Sequence, residues 1–137
     1  MEDFVPFDLA KKLREKGFRE ECIAYYHTDG ELLYNRDQYR GGNYKSLLRS
    51  YNSLPKNPIG CEQIDAPTIS QVLKWLRKEK IYIVPTFCVD QNDNGYWDFR
   101  LISTMDGMLI YDEIKNRYNS YEQAALAGIE YVLNNLI

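Results

Sequence analysis

The sequence IYIVPTFCVDQNDNGYWDFRLIST, residues 81–104, decides the fold of this chain. Its two ends, 81–89 and 96–104, are rich in β-branched and aromatic residues, and polar residues ending in Asn-Gly separate them. This pattern predicts a β-hairpin. Because Pro85 has no amide N–H to donate, we expect strand 81–89 to be an edge strand or to contain a bulge.

A capped amphipathic helix is predicted just before this hairpin, over residues 68–79. Thr68 is its predicted N-cap and Gln71 completes the capping box, although Asp65 could start the helix slightly earlier. Its apolar stripe consists of Ile69, Val72, Leu73 and Leu76, opposite a basic face. A helix this short is not stable alone, so we expect the stripe to pack on the sheet.

A second capped helix is predicted near the end of the chain, over residues 121–136. Ser120 is the N-cap and Gln123 its capping-box partner. The predicted buried face consists of Tyr121, Ala125, Gly128, Ile129, Val132, Leu133 and Leu136.

The other elements are shorter. We predict a helix over 7–16 ended by Gly17, two strands within 22–35 around an Asp29-Gly30 turn, and a strand over 108–114 after a turn at Asp106-Gly107. Residues 36–64 lack clean periodicity and are expected to form a long basic loop excursion, with one helical turn around Tyr44–Leu48.

The order α-ββ-α-βββ-α predicts an α+β fold. We expect a single antiparallel sheet of four to five strands, one face covered by the helices over 68–79 and 121–136, with the first helix at an end or edge. A chain of 137 residues with no evident linker is predicted to be one domain, 1–137.

Composition narrows the classes of function. The formal net charge is −3, so no global field draws the protein to nucleic acid or to an anionic membrane. The sequence has neither a signal-peptide pattern nor eighteen consecutive apolar residues, which predicts no membrane association. Three cysteines without metal-ligand spacing favour reduced thiols and a cytoplasmic protein. Twelve tyrosines indicate sheet faces and a contact surface.

Trp75 lies at the border of the apolar stripe of the helix over 68–79. It is either a lid on the rim of the sheet, the interpretation that we favour, or an exposed anchor for a partner.

The excursion is the second candidate binding site. Residues 36–56 carry five cations and one acid, a net charge of +4, which leaves −7 for the remainder of the chain. Cations for phosphates interleaved with rings for bases are the chemistry of single-stranded nucleic-acid binding. The candidate residues are Arg36, Tyr39, Arg40, Tyr44, Lys45, Arg49 and Tyr51. We favour a solvated loop that balances an acidic body over this alternative.

The loop that begins at Asp90 partly resembles a calcium-binding loop, with Asp90, Asn92, Asn94, Gly95 and Asp98 at matching positions. The twelfth position holds Leu101 where calcium requires a bidentate glutamate. An Asn-Gly hairpin turn explains the same residues, so we expect no metal. No phosphate-binding or dinucleotide-binding glycine motif is present, and no cofactor is expected.

The sequence contains no recognisable catalytic set. A nucleophile needs a nearby base, and the only histidine, His27, lies in a predicted strand. Cys22 or Cys88 could meet it in space, but we favour a structural or surface histidine.

Three segments carry a resemblance: REKGFREEC (14–22), APTISQVLKWLRKE (66–79) and YEQAALAGI (121–129). Together they resemble a family of small uncharacterised proteins that is common in gut-bacterial genomes and their prophage-like or other mobile elements. The resemblance spans nearly the whole chain and implies an α+β fold and an intracellular location. It implies no activity, cofactor or site residues. This chain departs from the shorter members over 39–58, where it is longer and more basic.

Three functional hypotheses follow. The first is a non-catalytic interaction module that binds an unknown protein partner or a second copy of itself. The second is a nucleic-acid-binding accessory protein that uses the 36–56 loop. The third is an unrecognised enzyme centred on His27.

Overall fold

The computed structural model describes residues 3–38, 44–46, 48–54, 63–105, 108–113 and 117–137. These residues form helices and antiparallel sheets, which confirms the predicted α+β class. The chain divides into two compact units, Met1–Thr68 and Ile69–Ile137. Each has its own buried apolar residues. The prediction of one domain over 1–137 stays a prediction.

The first unit begins with α1, Phe7–Glu15. Leu9, Ala10 and Leu13 recur at helical spacing and are buried, as the pattern predicts. The chain leaves the helix at Gly17, whose φ of 94° is a conformation that glycine adopts at little cost.

Three short strands form the main sheet of the first unit: β1 Ala24–Tyr26, β2 Leu32–Tyr34 and β5 Ile64–Asp65. They lie in the order β2-β1-β5, all antiparallel, and α1 packs against β5. The turn predicted at Asp29-Gly30 joins β1 to β2. Gly30 has a φ of 88°, and the amide of Glu31 donates to the Asp29 carboxylate at 2.9 Å.

The predicted excursion contains further elements that the sequence did not indicate. β3 Arg36–Gln38 pairs with β4 Tyr44–Ser46, and a 3₁₀ turn follows at Tyr51–Ser53. The predicted helical turn around Tyr44–Leu48 is therefore wrong, because Tyr44–Ser46 is a strand. These segments are only three residues long, too short to show a periodicity of either kind.

Asp65 ties the 3₁₀ turn to β5 from a fully buried position. Its two carboxylate oxygens accept the amides of Tyr51 and Asn52 at 2.9 and 3.0 Å. The Asn52 side chain in turn donates to the Phe18 carbonyl at 2.9 Å. Burial raises the pKa of Asp65, while these hydrogen bonds and Arg14 oppose that rise. The residue is thus part of the core of the first unit.

The second unit begins with α2, Ile69–Lys78. The start at Ile69 agrees with Thr68 as the residue before the helix, and excludes the alternative start at Asp65. All four residues of the predicted stripe are buried, and the helix packs on the sheet and on the last helix.

The sheet of the second unit consists of β6 Ile81–Val89, β7 Gly95–Met105 and β8 Met108–Glu113, in that order. The register from Ile81↔Ser103 to Val89↔Gly95 is uninterrupted, so β6 is an edge strand without a bulge. The turn predicted at Asp106-Gly107 lies outside the described residues.

The position of Pro85 follows from the hydrogen bonds at the two ends of β6. The Lys80 carbonyl accepts the Thr104 amide, and the Asp90 amide donates to the Asn94 carbonyl, both at 3.0 Å. Backbone groups alternate in direction along an antiparallel strand. The even-numbered residues of β6 therefore bond to β7, and the odd-numbered ones, including Pro85, face the open side. The missing N–H costs the sheet no hydrogen bond.

The last helix, α3, runs from Tyr121 to Asn135. The predicted N-cap is confirmed, since the Ser120 hydroxyl accepts the Gln123 amide at 3.1 Å. The Gln123 side chain accepts the Asn119 amide at 3.1 Å, one residue before the position expected for a capping box. The described buried residues are Ala124, Ala125, Gly128, Ile129, Val132 and Leu133. The predicted burial of Tyr121 and Leu136 is wrong, because both lie at ends of the helix where it extends beyond its cover.

The predicted single sheet of four to five strands is also wrong. Among the described residues the strands form two three-stranded sheets and one two-stranded sheet. Both sides of β1 are occupied by strands of its own unit, β2 and β5, so β1 does not join β6–β8, and among the described strands β2 pairs with β1 alone. The helices α2 and α3 do pack on the β6–β8 sheet, whereas α1 packs on the separate sheet of the first unit. No helix in the described part of the chain is long and apolar enough to cross a bilayer.

Candidate interaction surface

An exposed row of aromatic rings lies at the hairpin end of the β6–β8 sheet. Phe87 and Trp97 are directly opposite in the β6–β7 register, with ring centroids 5.4 Å apart. Trp97 also contacts Tyr121, the first residue of α3, at 5.7 Å. Both contacts are edge-to-face, the favoured geometry for aromatic pairs. We call Phe87, Trp97 and Tyr121 the aromatic ridge.

The ridge is exposed because the helix layer ends before the sheet does. Alternate residues of β6 face the helices, and the first two of these, Ile81 and Ile83, are buried. Further along the same face, Phe87 is 55% exposed and Val89 is 58% exposed. Tyr121, where α3 begins, is 40% exposed. An apolar face thus continues past the point where the helix layer covers it.

Gly95 holds the Phe87 ring close to the sheet. A Cβ atom at position 95 would lie 2.4 Å from the Phe87 ring, closer than any real contact. The ring therefore packs directly over the glycine backbone, diagonally across the strand pair. Only glycine allows this position of Phe87.

The loop between β6 and β7 is organised by Asp90. One carboxylate oxygen accepts the amides of Asn92 and Asn94 at 2.8 and 3.0 Å. The other accepts a hydrogen bond from Arg117 at 2.9 Å. The bend itself occurs at Asp93, whose φ is 60°, and Gly95 is already in β7. The predicted connection of residues 90–95 is therefore one residue too long, since Val89↔Gly95 is the last pair and residues 90–94 form the loop.

The same bonds account for the residues that resembled a calcium loop. The bond from Arg117, followed by those from the loop amides, lowers the pKa of Asp90 to about 2. Arg117 also lies over the Tyr96 ring, 4.4 Å from its centroid. Among the described residues, no group of three or more metal-ligating side chains is assembled.

Trp75 is half-buried at the border of the α2 stripe. Its immediate neighbours on the basic face, Lys74 and Arg77, are exposed. The choice between a rim residue and a partner anchor stays a prediction.

The candidate residues of the excursion fall into two groups. Tyr39 and Arg40 lie outside the described residues, and only the backbones of Arg36, Tyr44 and Lys45 are described, as parts of β3 and β4. Arg49 and Tyr51 are described with their side chains. The binding hypothesis for this set stays a prediction.

Arg49 and Tyr51 have defined surroundings in the first unit. Arg49 is exposed, and its backbone forms an antiparallel bridge with Cys22. The Tyr51 ring packs on Tyr25 at a centroid distance of 4.9 Å. Because its amide also bonds to Asp65, Tyr51 has a structural role whether or not it binds a ligand.

His27 lies at the corner of the β1–β2 hairpin, where its amide donates to the Glu31 carbonyl at 2.9 Å. Its Nδ1 is 3.6 Å from a carboxylate oxygen of Asp29, and both side chains are substantially exposed. Cys22 is fully buried. Burial, with the negative charges of Asp65 and Glu20, raises the pKa of its thiol, which makes it a poor nucleophile.

The sequence did not predict that the three residues of the aromatic ridge form one exposed group. Phe87 and Trp97 were strand residues, and Tyr121 was predicted to be buried. The predicted hairpin put Phe87 and Trp97 on neighbouring strands, but the pairing of the two residues comes from the register of the structure. The end of the helix layer could not be located from periodicity alone.

Comparisons with protein-family models, with curated proteins and with solved structures found no match to this chain.

Proposed function

We propose that this chain is a non-catalytic interaction module, and that a protein partner docks on the aromatic ridge. The observation that carries the proposal is the exposure of Phe87 and Tyr121, whose rings both contact Trp97, with Val89 exposed further along the same face of β6. Scattered exposed apolar residues are ordinary, but a contiguous aromatic group is typical of an interface.

The ridge also has the mechanical properties of a good docking site. Each ring is fixed by an edge-to-face neighbour, and Phe87 is held against Gly95. Side chains that are already ordered lose little conformational entropy when a partner covers them. Trp and Tyr near the centre of an interface supply most of its binding free energy.

The charges around the ridge indicate the chemistry of the partner. Asp93 in the loop and Glu122 next to Tyr121 are both exposed. The nearby cation, Arg117, is bonded to Asp90. We therefore infer a partner that presents an apolar segment beside at least one basic residue, since opposite charges at the rim steer and orient association.

The test uses a photo-crosslinking amino acid at position 121, and again at position 82, in cells. Tyr82 is the matched control because it is 39% exposed on the opposite face of β6. A protein crosslinked from 121 and not from 82 would be purified, and its affinity measured by calorimetry. We expect Tyr121→Ser to weaken binding about thirtyfold, the loss at an interface hot spot. Tyr82→Ser should leave the affinity nearly unchanged.

Three outcomes would count against this proposal. Equal crosslinking from both positions, or equal losses for the two variants, would remove the ridge as the site. Crosslinking to a second copy of the chain would replace the partner by self-association. The thermal midpoints of both variants are measured first, so that an unfolded variant is not taken for a lost contact.

On the resemblance of the three segments alone, we also propose membership of the gut-bacterial family, an origin in a mobile element and a cytoplasmic location. The nucleic-acid hypothesis for the 36–56 loop and the enzyme hypothesis for His27 stay predictions.

A further inference from the structure

We propose that the first unit contains a binding site for a small organic anion, in a cavity between α1, the 3₁₀ turn and β5. The cavity has a volume of about 300 Å³. The residues that line it are Lys11, Arg14, Glu15, Arg19, Asn52, Leu54 and Ile64. Three cations and one carboxylate thus face a space at the small end of the range typical of ligand pockets.

Arg19 is the cation of the cavity that bonds to the backbone of the 3₁₀ turn. Its guanidinium donates to the backbone carbonyl of Asn52. Asn52 is itself buried and bonded to both Asp65 and Phe18. The hydrogen bond from Arg19 to the Asn52 carbonyl uses one of the five N–H donors of the guanidinium. The remaining donors are held in place at the cavity, ready for an oxyanion such as carboxylate or phosphate.

The other two cations of the cavity each have an acid nearby. Arg14, in the last turn of α1, is close enough to Asp65 to oppose the rise in the pKa of that carboxyl. The Lys11 Nζ is 3.5 Å from a carboxylate oxygen of Asp8. With Glu15, which lines the cavity, three acids stand against the three cations. Anion binding therefore depends on the directed N–H donors of Arg19 rather than on a net positive charge, and the site favours an anion of low charge.

Leu54 and Ile64 give the cavity an apolar side. Ile64 is buried in the floor, and Leu54 is exposed at the rim. A volume of 300 Å³ corresponds to about ten water molecules. The ligand class is therefore a compact molecule with one carboxylate or phosphate group and a small apolar body.

The test is an NMR titration of the whole chain with phenyl phosphate and with benzoate, which share an apolar ring and differ in the oxyanion. Benzyl alcohol is the neutral control. We expect both anions to shift the amides of Arg14, Arg19 and Asn52 at millimolar concentration. Tighter binding of phenyl phosphate would assign the site to phosphate, and tighter binding of benzoate would assign it to carboxylate.

Matched variants test the residues. Arg14→Gln is expected to weaken anion binding about tenfold, as for loss of a charged hydrogen bond. Arg77→Gln, an arginine in the last turn of α2, should have no effect. Arg19→Lys keeps the charge and a donor for Asn52 while removing the planar fork, so it should fold normally and bind more weakly.

The proposal is overturned if the folded protein shows no anion-dependent shifts, if benzyl alcohol produces the same shifts, or if Arg14→Gln and Arg77→Gln weaken binding equally. The site does not depend on the aromatic ridge, which belongs to the other unit. Tyr121→Ser should therefore leave the anion titration unchanged.

Discussion

At the scale of single residues, Asp90 belongs to a loop that resembles a calcium-binding loop, but its carboxylate binds donors of the protein itself. Its carboxylate accepts two loop amides and one guanidinium hydrogen bond, so both oxygens are used. The bonds shape the loop that joins β6 to β7. Sequence spacing identified the residues of this loop correctly, but it did not show that Arg117, 27 positions further along, would supply the positive charge.

The Asp90 carboxyl should titrate with a pKa of about 2, well below its ordinary value of 3.8, chiefly because Arg117 hydrogen-bonds to the ionised form. A group whose folded pKa is lowered stabilises the fold above its unfolded pKa, and this stabilisation is lost as the pH falls from about 4 towards 2. Carbon-detected NMR of the side-chain carboxyl measures the value.

Arg117→Gln should raise the pKa of Asp90 towards its ordinary value, whereas Lys74→Gln on the exposed face of α2 should not change it. An Asp90 pKa near 4 in the unaltered protein would contradict the expected ion pair.

Asp65 marks a limit of prediction at this scale. From the sequence it was an alternative start for the helix over 68–79, because aspartate is a common N-cap. In the structure it is fully buried in β5 and binds two backbone amides. Its role depends on residues 51 and 52, which reach it through the folded excursion, and no local pattern around Asp65 encodes that contact.

At the scale of elements, the long periodic segments were predicted within one or two residues. The strand over 81–89 was exact, and the helix predicted over 68–79 is Ile69–Lys78. These segments carry enough residues for the period of their apolar positions to be measured. β3, β4 and β5 have two or three residues each. Their pairing partners determine them, so the sequence alone did not reveal them.

Gly128 tests the packing of α3 on the sheet. A Cβ at this position would lie 2.6 Å from Ile83 Cγ2 and 3.2 Å from Phe99 Cδ2. Helix propensity favours alanine over glycine by about 1 kcal/mol, but overpacking costs about 1–3 kcal/mol. We expect Gly128→Ala to lower the free energy of unfolding by about 1 kcal/mol in urea denaturation.

The control for this substitution is Ala127→Gly, at a half-buried neighbouring position, which should destabilise by about 1 kcal/mol through propensity alone. If Gly128→Ala instead stabilises the protein, α3 does not lie as close to Ile83 and Phe99 as the structure shows.

At the scale of the whole molecule, the sequence predicted the fold class and not the arrangement of the sheets. Alternating and helical periods identify strands and helices, which was sufficient for α+β. They do not determine which strands pair. The pattern of β1 is compatible with pairing to β6–β8. In the structure β2 occupies one side of β1 and β5 occupies the other, and the sequence did not predict β5.

The single-domain prediction has a direct test. Leu13 is fully buried in the first unit, and Leu13→Ala should cost about 2–5 kcal/mol. If the chain unfolds as one cooperative domain, the most protected amides of α3 in the second unit should lose the same free energy of opening in hydrogen exchange. Faster exchange confined to the first unit would instead identify two separately unfolding domains.

The missing amide of Pro85 has a consequence for crowded solutions of this protein. β6 is nine residues long, carries no charged side chain and, among the described strands, pairs on one side only, which are the properties of a strand that recruits other chains into cross-β fibres. Pro85 divides that edge into two short halves, each with two outward N–H donors. An arriving strand would therefore meet at most two consecutive donors on either side of Pro85, which disfavours growth of a fibre along this edge.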